Sequence, residues 1–267
     1  MENKFLWQNT EIFYKVTGEG QPVVLLHGFA EDSNVWNEQV GFLQQYCKLI
    51  IPDLPGSGKS GVLQKDNVTI DDFAIFVNAL LRNEDIDECI LLGHSMGGYI
   101  TLAFAEMFPG KLKAFGFVHS TAFADNEEKK SARQKGIKMI EEYGTYPFVK
   151  NTTPNLFSEN YKKQQAERVS ELVEKGRDFT KDALKQYYAA MMNRPDRTEV
   201  LKQTSLPVLF IIGSEDKAAP LNDLVEQVHL PKVSYVQIIE GVGHMGMWEE
   251  AEKVNGFLLE FIQDIEG

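Results

Sequence analysis

The 267-residue sequence predicts an α/β protein in which a parallel sheet is covered by helices on both faces and interrupted late by a helical block. Three observations carry this. Short continuous apolar runs alternate with helix-periodic segments over the first 120 residues, the mark of strands buried on both faces. No convincing strand pattern occurs between Thr121 and Pro195. The alternation then resumes and continues to the last helix.

Taken in order, Glu11–Val16 reads as a strand closed by the turn Gly18-Glu19-Gly20, and Pro22–Leu26 as a buried strand followed by His27-Gly28. Val35–Tyr46 has helical spacing, with Trp36, Val40 and Leu43 on one face. Leu49–Ile51 is the next strand, ended by Pro52. Asp71–Leu81 places Phe73, Phe76, Val77, Leu80 and Leu81 on one helical stripe. Cys89–Leu92 and Phe115–Val118 are strands flanking a buried helix over Gly97–Met107. Beyond the helical block, Leu206–Ile212 and Val233–Ile239 are strands. Glu249–Ile262 is an amphipathic helix with Val254, Phe257, Leu258, Phe261 and Ile262 inward. The layout expected is a core of residues 1–120 and 196–267, with residues 121–195 inserted as a helical cap.

Composition excludes several functions. The formal net charge is −12, and a surface that acidic does not suit phosphate-backbone binding, so no nucleic-acid partner is expected. Cys47 and Cys89 are too few for a disulfide scaffold and have no metal-ligand spacing. Met1–Trp7 has no signal-like apolar run and no stretch of about 18 apolar residues exists, so a cytoplasmic protein without membrane association is expected. The sequence gives no sign of oligomeric state.

The strongest chemical signal is Gly93-His94-Ser95-Met96-Gly97, a G-x-S-x-G pattern between a strand and a helix. Small neighbours let the chain turn sharply there and expose the serine hydroxyl at a helix N-terminus. A serine needs an adjacent base. Of five histidines, His244 lies in the glycine-rich loop Gly241–Met245 between the last strand and the last helix, the setting a rim-mounted imidazole needs. The base in turn needs an orienting carboxylate. Asp216, in the turn after Leu206–Ile212, is at the carboxyl end of a strand and is favoured over its neighbour Glu215 and over Asp125. An oxyanion hole needs two N–H donors: Met96 follows the nucleophile, and Phe29 follows His27-Gly28 after the second strand.

These segments together resemble the α/β-hydrolase fold family: HGF at 27–29, DLPGSGKS at 53–60, GHSMGG at 93–98, GSEDKAAP at 213–220 and GVGHM at 241–245, with Ser, Asp and His in that family's order. The resemblance implies a mostly parallel eight-stranded sheet and no metal or organic cofactor. It does not reach residues 121–195, which look like the family's variable cap. Ser95 stands where dehalogenases and epoxide hydrolases of this fold carry aspartate, which points away from both. The expected chemistry is acyl transfer on a small carboxylic ester or related acyl bond. The alternatives are carbon–carbon bond cleavage on the same three residues and a hydrolase-like receptor for a small ligand.

Two motifs are decoys. Gly56-Ser57-Gly58-Lys59-Ser60 looks like a phosphate loop, but the pattern requires glycine where Asp53 stands. His27 has no partner at a metal-ligand spacing. The helical block holds 14 Lys+Arg against 11 Asp+Glu, so it is +3 while the remainder is −15, a balance that favours an acidic small molecule near the cap. His27 and Gly28 from the core, and Tyr143, Tyr146, Phe148, Tyr188 and Met192 from the block, are the expected substrate-binding residues.

Overall fold

The computed structural model describes residues 2–267. Its framework is one eight-stranded sheet in the order β1-β2-β4-β3-β5-β6-β7-β8. The strands are β1 (Glu2–Trp7), β2 (Thr10–Thr17), β3 (Pro22–Leu26), β4 (Lys48–Pro52), β5 (Cys89–His94), β6 (Leu112–Val118), β7 (Val208–Gly213) and β8 (Ser234–Ile239). Only the β1–β2 and β2–β4 pairs are antiparallel, so the sheet is mostly parallel, as expected.

The strand interiors are apolar on both faces because two layers of helices need covering. Val23 and Leu25 of β3 join one core with Val35, Trp36, Val254, Leu258 and Phe261. Val24 and Leu26 turn the other way and join Phe73, Val77, Ile100 and Phe104. The first layer is built from helices α1 (Asn37–Leu43) and, at the chain's end, a helix interrupted at Glu250. The second layer is built from α2 (Ile70–Asn83) and α3 (Met96–Met107). Thr69 caps α2: its side chain accepts from the Asp72 amide while the Asp72 carboxylate accepts from the Thr69 amide.

Between β6 and β7 the described chain forms no strand. It forms α4 (Glu127–Tyr143), α5 (Thr145–Thr152), α6 (Glu159–Gln164), α7 (Ala166–Glu174), α8 (Lys181–Met192) and α9 (Thr198–Gln203). After β7 come α10 (Leu221–Val225), α11 (Gly246–Glu249) and α12 (Ala251–Glu266). No helix among the described residues is long and apolar enough to cross a membrane.

The structure departs from the sequence-based expectation in three places. β1 carries no continuous apolar run because it is an edge strand with one face exposed and only Phe5 and Trp7 of the other packed on the core; its hairpin to β2 turns through Gln8 and Asn9, both at positive φ and without the glycine that usually marks such a turn. The helix expected over Val35–Tyr46 is a 3-10 turn at Ser33–Trp36 followed by the shorter α1, because Asp32 accepts from the Asn34 amide and starts the turn early. The last helix is two pieces, since Glu250 takes φ −139 between α11 and α12. The phosphate-loop decoy is a turn filled from within: Asp53 accepts from the amides of Ser33 (2.9 Å) and Lys59 (2.9 Å).

Phe210 of β7 is fully buried and its ring centroid lies 5.3 Å from that of Phe117. Phe210→Ala should lower the unfolding free energy by about 3–5 kcal/mol in a urea titration, with the midpoint falling accordingly.

Candidate active site

All the expected polar residues follow carboxyl ends of strands, where open α/β sheets place their sites. Ser95 lies between β5 and α3 at φ 52, ψ −116, a conformation that side-chain-bearing residues rarely adopt. The turn is pinned on both sides: the Ser95 amide donates to the Val118 carbonyl (3.1 Å), and the Ser95 carbonyl accepts from the Gly98 amide (2.9 Å) and the Ser120 hydroxyl (2.7 Å). Two glycines permit the packing. A Cβ on Gly93 would sit 2.2 Å from the Gly97 carbonyl, and one on Gly97 would sit 2.5 Å from the Leu26 carbonyl oxygen. The strand, the turn and the helix therefore close only with hydrogen at both positions.

His244 is buried on the loop after β8, and its amide donates to the Leu156 carbonyl at 2.7 Å. Its Nδ1 meets Asp216 Oδ2 at 2.7 Å, a charge-assisted bond that leaves Nε2 for other work. The other Asp216 oxygen accepts from the amides of Ala218 (2.8 Å) and Ala219 (2.9 Å), so the carboxylate cannot swing. Neither rival is bonded to His244. Glu215 is exposed, and Asp125 is paired with Arg133 and Arg194.

Electrostatics follow from burial and pairing. Burial alone would raise the Asp216 carboxyl, but the adjoining imidazoles of His244 and His119 hold it well below the ordinary carboxylate range. Burial opposes charging of His244; the charge of Asp216 and the bond to it outweigh that, so His244 sits above the ordinary histidine value. His119 is also buried, with Nδ1 3.5 Å from Asp216 Oδ2, too long for a good hydrogen bond. Burial drives it down to about 4, so it is neutral near pH 7.

Ser95 and His244 open onto one cavity of about 200 Å³, whose wall includes Phe29, Arg133, Tyr188 and Met191. Ser95 Oγ and the imidazole are not hydrogen-bonded in this conformation. The amides of Phe29 and Met96 make no hydrogen bond among the described residues, and the Gly28 backbone abuts Ser95: a Cβ there would lie 3.0 Å from Ser95 Cβ. Two donors on segments adjoining Ser95 are thus uncommitted, the Met96 one at the start of α3.

Of the expected substrate-binding residues, Tyr188 lines the cavity. Its ring stacks on Phe29 at 4.3 Å. The others do not. His27 is fully buried, accepting from the Leu54 amide at Nε2 (2.9 Å) while its Nδ1 bonds the Gly28 carbonyl, so it shapes the loop rather than touching a ligand. Gly28 donates its amide to Glu31 (2.6 Å) and lies behind the wall. Tyr143 is exposed, and Tyr146 points to solvent, bonded to Glu174 and covered by Arg177. Phe148 is buried behind Phe29 and Tyr188. Met191, not Met192, faces the cavity, because the register of α8 turns that side chain inward.

Sequence reasoning missed a buried link. His94 Nε2 donates to the His244 carbonyl (3.0 Å) and its Nδ1 meets Glu31 Oε2 (3.0 Å), the same oxygen that takes the Gly28 amide. Burial works against the Glu31 carboxylate, but His94 and the Gly28 amide hold it below its ordinary range. The chain around Phe29 and the loop carrying His244 are therefore tied to the residue preceding Ser95. The acidic residue three places after Gly28 was the only trace of this in the sequence.

Known proteins agree with this architecture. Residues 21–251 match the family model described as alpha/beta hydrolase fold, and the chain belongs to the α/β-hydrolase fold family. It is 27% identical over 266 residues to a 2-hydroxy-6-oxononadienedioate/2-hydroxy-6-oxononatrienedioate hydrolase of Paraburkholderia phymatum, covering 94% of this chain and 90% of the relative. Its fold is similar to that of a thermophilic esterase from Thermogutta terrifontis, with a TM-score of 0.93 and 25% identity over the full length of both chains. It is also similar to an enol-lactonase from Burkholderia xenovorans LB400, with a TM-score of 0.90 and 19% identity over 98% of this chain and 100% of the other.

NMR titration of the imidazole resonances should find His244 titrating above about 6.5, the ordinary histidine value. In Asp216→Asn the largest raising charge is gone and only the smaller influence of Glu31 and Glu249 is left against burial, so His244 should titrate below that value. An unchanged titration in the variant would break the pairing described here.

Proposed function

We propose that this protein is a serine hydrolase that cleaves a small carboxylic ester or related acyl bond through an acyl-enzyme on Ser95. The observation that carries the reading is the convergence of a serine held at φ 52 and a histidine bonded at 2.7 Å to a buried carboxylate on one cavity. Residues 121–195 act as the cap that roofs it. The cavity volume of about 200 Å³ is below the roughly 300–1,000 Å³ of drug-sized ligand sites, which favours a small substrate.

In the first step Ser95 Oγ bonds to the acyl carbon as His244 Nε2 takes the hydroxyl proton. The carbonyl π pair moves to oxygen, where the Phe29 and Met96 amides hold it. Collapse re-forms the carbonyl and breaks the bond to the leaving alcohol, which receives the proton from His244. Water then gives a proton to His244 and its hydroxide to the acyl carbon. A second collapse releases the acid and returns the proton to Ser95. The net change is ester plus water to acid plus alcohol. Asp216 keeps the Nδ1 proton on His244 throughout and stabilises the imidazolium.

A second reading has its own support: the relative from Paraburkholderia phymatum bears the name of a hydrolase acting on 2-hydroxy-6-oxo dienedioates. On that reading the same three residues break a carbon–carbon bond. Loss of absorbance of a 2-hydroxy-6-oxo-dienoate, set beside ester turnover, separates the two.

Wild-type protein should hydrolyse a short p-nitrophenyl ester, and Ser95→Ala should lose roughly 10⁴–10⁶ of kcat. Because only neutral His244 is a base, kcat/KM should rise with pH through an inflection above about 6.5. Equal turnover by wild type and Ser95→Ala would refute the assignment.

A further inference from the structure

The cavity beside Ser95 has one guanidinium in its wall. Arg133 of α4 gives its Nε to Asp125 Oδ2 at 2.6 Å and leans Nη2 toward Oδ1 of the same carboxylate at 3.5 Å. Nη1 makes no hydrogen bond among the described residues. Asp125 does not belong to Arg133 alone. Arg194 Nη1 takes Asp125 Oδ1 at 2.7 Å, so two guanidinium groups share one buried carboxylate. Arg194 is otherwise consumed by the chain: it donates to the carbonyls of Met191 (2.7 Å) and Phe123 (2.8 Å) and lies 3.8 Å from the Tyr99 ring centroid. The cluster is left with one uncompensated positive charge, and of its members only Arg133 reaches the cavity.

The other acidic groups at the cavity do not supply the missing charge. Glu31 is spent on the Gly28 amide and His94, and Asp216 on His244 and two loop amides. One turn before Arg133, Lys129 reaches the Ala218 carbonyl at 3.5 Å but is paired with Asp223 at 3.8 Å, so it adds no free charge to the cavity. Among the described residues, Arg133 is thus the one cation in the cavity wall.

We propose that Arg133 is a substrate-specificity residue that receives a carboxylate carried by the substrate. The protein's preferred ester is then a half-ester of a small dicarboxylic acid, or an ester whose alcohol part bears a carboxylate. Asp125 occupies the Nε/Nη2 edge of the guanidinium. The Nη1/Nη2 edge remains, and it matches the two oxygens of a carboxylate in parallel. A cationic substrate meets repulsion there, and a neutral one leaves the guanidinium with only its shared carboxylate and the Tyr188 ring, 5.2 Å from its carbon, in a small, partly closed space. This proposal rests on the serine-hydrolase reading for the word ester, but the anion site itself does not.

Two measurements test it. The first compares kcat/KM for mono-p-nitrophenyl glutarate and p-nitrophenyl butyrate, in wild type and in Arg133→Met. Wild type should prefer the carboxylated ester, and the charged-to-neutral ratio should fall at least tenfold in the variant. A ratio that does not change, or a wild type that prefers the neutral ester, overturns the proposal, even though turnover of either ester would leave the hydrolase reading standing. The second needs no turnover: glutarate should raise the melting temperature of Ser95→Ala protein and glutaramide should not, and the effect should vanish in Ser95→Ala/Arg133→Met. Protection by glutarate in a protein that cleaves neither ester would uphold the anion site and defeat the hydrolase reading. Equal response to glutarate and glutaramide overturns the proposal, including where Arg133→Met does not fold.

Discussion

Everything at the site depends on how closely the backbone of β3 passes beneath the start of α3. Gly93, Gly97 and the Leu26 carbonyl lie so near one another that no side chain fits between them. That contact brings the helix in steeply behind the strand and forces the intervening residue to φ 52. A strain of the order of 1–3 kcal/mol at one residue is small beside the burial of the whole parallel sheet, so the fold can hold it. The consequence is chemical. Ser95 stands clear of the sheet, its hydroxyl faces a cavity, and the first amide of α3 lies beside it without an acceptor.

The same contact organises the neighbouring loops. Because β3 lies under the elbow, the chain that leaves it, Gly28-Phe29, must pass Ser95. Because His94 precedes Ser95, its ring reaches both Glu31 on that chain and the carbonyl of His244 on the loop after β8. Three segments from distant parts of the sequence are thus linked through one buried imidazole. The Leu156 carbonyl, from the helical region between β6 and β7, holds the His244 amide from the other side. The helical region and the loop carrying His244 are therefore joined by a direct hydrogen bond.

How much of this the sequence displayed depended on whether the signal was local. Continuous apolar runs such as Pro22–Leu26 and Cys89–Leu92 are local, and they mark strands buried on both faces. The edge strand β1 packs only Phe5 and Trp7 of one face on the core, so it left no such run, and its turn at Gln8-Asn9 lacks glycine. Ser95, His244 and Asp216 stand in glycine-marked turns at strand ends and could be singled out one at a time. The role of His27 could not: a buried histidine that accepts the Leu54 amide looks, in sequence, like any loop histidine. Nor could the inner wall of the roof be read off, because which side of α4 or α8 faces Ser95 is set by tertiary docking. Tyr143 and Tyr146 therefore drew notice while Arg133, an ordinary charge on a helix, did not.

On the proposed mechanism, one hydroxyl among the chain's serines is made nucleophilic by a paired imidazole. A fluorophosphonate probe followed by peptide mapping reads this directly, since the phosphorus bonds only to an activated hydroxyl. A single modified peptide with the label on Ser95 is expected, and its loss in a His244→Ala protein that remains folded. Label on another residue, no label, or labelling of Ser95 at full rate without His244 would contradict it.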